Sequence, residues 1–151
     1  MKAFYILLGA FIVSGLVLKL ATKEIDYQLA GKIAMSSMLV FTAIGHFAFT
    51  KGMAAMVPSI VPFKAQVVIV TGILEVLFAI LLLVPKYSSV IGWVLVAFFL
   101  LILPANIKAS LENINYQTGN PDGPGTLYLW KRIPLQILFI VWVYLSAIRS
   151  I

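Results

Sequence analysis

Five side chains in this sequence could bind a ligand or exchange a proton within an otherwise apolar chain: His46, Glu75, Asn106, Arg132 and Gln136. Only five acidic residues occur, and four of them, Glu24, Asp26, Glu112 and Asp122, fall in polar connections where water solvates them. Glu75 instead lies in the middle of an apolar run, residues 67–84. A carboxylate at the centre of a membrane span costs several kcal/mol, roughly 2.5–3.5 on insertion scales, so such a residue faces protein and finds a partner. It either lines a ligand site or is a structural, protonated Glu bonded to a neighbouring hydroxyl. His46 is the single histidine, near the end of a second apolar run. One imidazole does not make a metal site, which needs several ligands at compatible spacing, so no metal is expected. His46 is a ligand contact or an interfacial hydrogen-bonding residue. Asn106 follows Pro104 at the end of a third run, as a site residue or a helix C-cap. Arg132 and Gln136 open the last run one turn apart on one face. Arg132 is a ligand contact or a headgroup anchor, whereas Gln136 sits deeper than an anchor requires.

The elements that carry these residues are legible from composition. Of the 151 residues 62% are hydrophobic and 11% charged, and the mean hydropathy is +1.07. Soluble domains carry roughly 25% charged residues, so the chain reads as one all-α, polytopic membrane domain in the cell membrane. Spans need about 20 apolar residues, and five stretches come close: residues 3–20, 33–49, 67–84, 90–103 and 133–148. Inside hydrocarbon the backbone must satisfy itself, which makes these helices. The first stretch reads as a retained helix, because no clean small-x-small cleavage site follows it. It packs peripherally and carries no chemistry. Cysteine is absent, which excludes disulfides and thiol redox chemistry. The net charge of +6 comes from dispersed basic residues, suited to lipid headgroups rather than nucleic acid.

The connections differ in character. Residues 20–32 form a charged turn and 85–89 a tight one. Residues 50–66 hold Met53, Met56, Val57, Ile60, Val61 and Phe63, punctuated by Pro58 and Pro62, too apolar for a solvated loop and too broken to span; a re-entrant or interfacial segment is expected. Residues 106–131 form a long loop with turn formers at 120–125. Let side A be the side on which the chain begins. Alternating spans bring His46, Asn106, Arg132 and Gln136 toward side A, with Glu75 about 12–13 Å and His46 about 5–6 Å below that boundary at 1.5 Å per residue. The expected result is a pocket open to side A, with segments 50–66 and 106–131 as lids. Helical Cα–Cβ bonds tilt toward the N-terminus, so Glu75 on a descending helix and His46 on an ascending one lean toward each other and should meet. Basic residues divide six to five between the sides; the charges flanking the first helix favour side A as non-cytoplasmic.

Five motifs in order then carry a family resemblance: Gly45-His46-Phe47, the Met56 to Pro62 segment, Gly72-Ile73-Leu74-Glu75, Pro104-Ala105-Asn106, and Trp130 to Gln136. Over residues 35–147 the chain resembles the DoxX-like membrane proteins, related to DoxX and DoxD subunits. The resemblance implies a four-helix transmembrane core, here preceded by one additional N-terminal helix. It also implies association with membrane redox or stress functions. No flavin, haem or iron–sulfur motif is visible, so an accessory rather than an enzymatic role is expected. The leading expectation is an accessory subunit with a lipid- or quinone-sized pocket lined by His46, Glu75, Asn106, Arg132 and Gln136. The alternative is a membrane-protein assembly factor or chaperone whose polar cluster merely fixes the bundle. Expected partners are membrane lipids and either another membrane protein or a second copy of the chain.

Overall fold

The computed structural model describes residues 2–149, and among them there is no strand. Six α-helices follow one another: α1 (Lys2–Thr22), α2 (Tyr27–Ala48), α3 (Thr50–Met56), α4 (Lys64–Leu82), α5 (Ser88–Leu111) and α6 (Thr126–Val143), the last continuing as a π-helical turn, Tyr144–Ile148. All except the short α3 are long and apolar enough to cross a membrane. α1 lies along α2, α2 along α4, α4 touches α5, α5 packs on α6, and the π-turn returns to both α5 and α2. One apolar cluster runs through the interior, built on Met35, Met38, Leu82, Leu95, Phe139 and Val143, and α1 contributes Leu7 to it. Only Leu7 and Ser14 of α1 are buried, which is the peripheral packing its sequence suggests.

Several boundaries differ from the hydropathy reading. α2 begins at Tyr27, not near residue 33, because the Asp26 carboxylate caps it by accepting from Leu29 N–H at 2.9 Å. That cap satisfies an orphan amide and starts the helix in polar sequence. The charged turn shrinks to residues 23–26. Pro104 and Pro134 do not mark helix ends but lie inside α5 and α6. A proline removes one intrahelical hydrogen bond, and the long flanking runs carry the helix across that gap. The long loop is therefore only residues 112–125. As a consequence Asn106 is not a helix-end cap; it lies five residues inside α5. Arg132 and Gln136 likewise do not open their helix but are six and ten residues into α6, about 9 and 15 Å along it at 1.5 Å per residue.

The segment after α2 forms the short α3 and then an irregular stretch through Pro58 and Pro62. α3 rests against the 112–125 loop, where the backbone of Gly52 abuts the carbonyl of Tyr116. Phe49 stacks edge-on against Tyr116, with ring centroids 5.7 Å apart. Lys108 of α5 donates from Nζ to the Val57 carbonyl at 2.8 Å, filling one of the acceptors a helix C-terminus leaves open. The two segments expected to act as lids thus pack on each other at side A.

Candidate functional site

The seam between α2 and α4 is the polar centre of the molecule. Thr42 and His46 stand one turn apart on α2, and Thr71 and Glu75 one turn apart on α4, so two pairs at i,i+4 spacing face each other across antiparallel helices. His46 Nε2 lies 3.5 Å from Glu75 Oε2. Thr42 Oγ1 donates to the same Oε2 at 3.2 Å. The expected meeting of Glu75 and His46 is observed, with the Glu75 side chain 6% and the His46 side chain 17% exposed. Gly72 makes it possible: a Cβ there would come within 2.8 Å of His46 Cβ. One and a half turns deeper, Ser36 donates to the Ala79 carbonyl at 2.9 Å, extending the seam toward the opposite side.

The partners of the imidazole fix its tautomer. His46 Nδ1 is 3.0 Å from the Val68 carbonyl and 3.0 Å from Thr71 Oγ1. A carbonyl only accepts, and the Thr71 hydroxyl spends its proton on that same carbonyl at 2.8 Å. Both neighbours therefore accept from Nδ1, which must carry a proton. With Nδ1–H assigned, the Nε2 to Oε2 contact is attractive only if one proton lies between them. It sits on the carboxyl beside a neutral ring, or on the ring beside a carboxylate. Either way the couple is neutral overall, which answers the cost of placing Glu75 in an apolar interior.

The remaining residues are arranged less tightly. Arg132, on α6, makes no ion pair with Glu75 among the described residues. Its buried Nε has no hydrogen-bond partner, and neither does the buried Oε1 of Gln136 one turn further along α6. Gln136 Nε2 donates to the Phe99 carbonyl of α5 at 2.7 Å. Asn106 is buried, and its Nδ2 donates back to the Ile102 carbonyl of its own helix at 3.3 Å. No hydrogen bond joins Asn106 to the other four among the described residues.

Two cavities flank this region. One of about 350 Å³ opens at side A among Lys2, Met56, Tyr116, Asp122 and Tyr128. The other, of about 260 Å³, lies toward the opposite side, between Phe11, Gly31, Trp142 and Ser146. Neither is lined by any of His46, Glu75, Asn106, Arg132 or Gln136. The side-A cavity is lined by other residues than the polar centre. Thr42 and Thr71 complete the site, although sequence reading does not single them out as site residues. Their signal was present as hydroxyls one turn before His46 and Glu75, on the same helix faces.

Fold and site together define an all-helical protein with five helices able to cross a membrane and a buried acid–imidazole couple between two of them. The chain belongs to the family described as domain of unknown function DUF8561, whose model matches residues 35–147. That match takes in both residues of the couple and leaves α1 outside. No curated protein and no solved structure matches the chain.

Proposed function

We propose that this chain is an accessory subunit of the cell membrane, related to the DoxX-like proteins, that holds the headgroup of a quinone or a similar amphiphile beside the Glu75–His46 couple. In this reading α2, α4, α5 and α6 with its π-turn form a four-helix core, and α1 is an addition to it. The observation that carries the proposal is the pair of buried, unpartnered groups one turn apart on α6, Arg132 Nε and Gln136 Oε1. Buried polar atoms in native proteins are nearly always bonded, so each orphan asks for a partner. One offers a hydrogen and the other accepts one. A quinone oxygen accepts from Arg132 Nε–H, and the hydroxyl of its reduced form donates to Gln136 Oε1. The couple holds a single proton, which suits a ligand whose oxygens gain and lose protons. His46, Glu75, Arg132 and Gln136 are the residues assigned to the site, and Asn106 supports the α5 wall next to Pro104.

The test is to purify the whole protein, measure retained lipids and quinones by native mass spectrometry and extraction, and compare variants. Arg132→Ala should cut retention about tenfold or more, since a hydrogen bond to a charged group contributes roughly 1.5–3 kcal/mol, and Gln136→Leu should cut it several-fold, a neutral bond contributing roughly 0.5–1.5 kcal/mol. Arg132→Lys should fail too, because an ammonium does not reproduce the guanidinium fork. Lys131→Ala, on an exposed neighbour, should retain the ligand as the parent does. Equal retention in all four variants would reduce Arg132 to a headgroup anchor and sink the proposal.

A further inference from the structure

We propose that the cavity at side A is a headgroup site for a zwitterionic phosphoethanolamine lipid. It lies outside the Glu75–His46 centre and stands or falls separately from the reading above. Lys2 and Asp122 both contribute to its wall, one at the start of α1 and the other in the 112–125 loop. Among the described residues the only ion pair is His46 with Glu75, so these two opposite charges share a cavity without satisfying each other. A phosphate alone would gain from Lys2 and be opposed by Asp122, and an amine alone the reverse. A ligand carrying both charges a short linker apart satisfies both. Ethanolamine fits better than choline, because its ammonium has N–H donors for the Asp122 carboxylate, whereas a quaternary ammonium has none.

Position and rigidity point the same way. Most of the wall is the 112–125 loop, and the rest comes from the first turn of α1, the last residue of α3, the end of α5 and the first turn of α6. These are helix ends and the loop joining two of them, gathered at one end of the five long apolar helices. Met56, Ala109 and Ile114 supply apolar lining beside the two charges. The volume of about 350 Å³ falls at the lower end of the range of roughly 300–1,000 Å³ typical of small-molecule sites. The loop that forms the outer wall is held in one shape. Asn115 N–H donates to the Asn120 carbonyl at 2.9 Å, Gly119 N–H to the Asn115 carbonyl at 2.7 Å and Gly123 N–H to the Asn113 carbonyl at 2.7 Å. Buried Ser110 donates to the Gly125 carbonyl at 2.7 Å. A preformed wall lowers the ordering cost of binding.

The test uses full-length protein delipidated in detergent, with phosphatidylethanolamine, phosphatidylcholine and phosphatidylglycerol offered in equal amounts and retention read by native mass spectrometry. The parent should keep phosphatidylethanolamine several-fold over the other two. Asp122→Asn should abolish its advantage over phosphatidylglycerol, and Lys2→Gln should lower retention of both. Both side chains are exposed, so each variant should match the parent in elution and thermal midpoint without lipid. Equal retention of the three lipids by the parent overturns the proposal irrespective of how the variants behave, as does an unchanged preference in both variants. Soluble phosphoethanolamine is the last arm: if it displaces the lipid at equal concentration, the ligand is a free metabolite and the lipid assignment fails.

Discussion

Replacing His46 by Leu should lower the stability of the protein by about 3–5 kcal/mol, and adding Glu75→Leu to the same chain should restore most of that loss. Removing one member of a buried pair leaves the other desolvated without its partner, and such changes cost about 3–5 kcal/mol. In the single variant Glu75 keeps only the Thr42 hydroxyl at 3.2 Å, inside a seam where it is 4% exposed. Replacing both members with apolar residues of similar volume is often neutral or better. Glu75→Gln should be mild for a separate reason. With Nδ1 protonated, a neutral ring presents Nε2 as an acceptor, and the Gln amide donates to it, so one proton again lies between the two side chains. Unfolding of the purified variants in one detergent, followed by tryptophan fluorescence against denaturant, gives the four corners of the cycle. Additive losses in the double variant would show that the two residues do not stabilise one another, and a severe Glu75→Gln would contradict the tautomer.

Gly52→Ala should be the most damaging exchange of a glycine for alanine at the side-A end. The added methyl would overlap the Tyr116 carbonyl, with the Gln117 backbone directly behind it. Both obstacles are main chain, so no rotamer change relieves the overlap, and α3 must part from the 112–125 loop. Overpacking of this kind costs about 1–3 kcal/mol and occasionally more. Gly45→Ala is the control on the neighbouring helix, because its nearest neighbour would be the flexible Met53 Cε at an ordinary 3.5 Å. Alanine also favours a helix over glycine, so that change should be neutral or slightly stabilising. Thermal midpoints and limited proteolysis within residues 112–125 would compare them. If Gly52→Ala were as benign as Gly45→Ala, the packing of α3 on the loop would not be a feature of the protein in solution.

What the sequence discloses, and what it hides, divides along physical lines. Apolar runs long enough to span are visible because hydropathy averages over many residues, and all five correspond to long helices. The Glu75–His46 contact is legible because both residues are costly in an apolar setting and the tilt of the Cα–Cβ bond sets which way each one leans. Helix ends are hidden where polar residues continue a helix: Asp26 starts α2 through a single side-chain bond, and α5 runs past Pro104 through Asn106 and Lys108 to Leu111. The difference matters, because hydropathy alone sets Asn106, Arg132 and Gln136 at helix ends, whereas they lie in helix interiors. Cavity linings are hidden more deeply. Lys2 and Asp122 share a wall only because α1 and the 112–125 loop are brought together in space, and no spacing in the sequence encodes that.

The clasp near the π-turn bears on how such a chain is assembled. Trp142 Nε1 donates to the Gly31 carbonyl at 3.0 Å, across 111 residues of sequence. Gln28 Nε2 donates to the Arg149 carbonyl across 121, and Ser146 sits against Gly31. The packing of α1 on α2 and of α5 on α6 joins neighbours in the chain, which form early and at little entropic cost. Joining the π-turn to α2 closes a loop that spans nearly the whole polypeptide, the slow kind of contact in folding. A chain emerging from its N-terminus has every other helix in place before the residues that fasten the first pair to the last have been synthesised. Closure of this bundle therefore waits on the π-turn, and a lesion near residues 142–149 would be felt at Gly31 as an assembly left open.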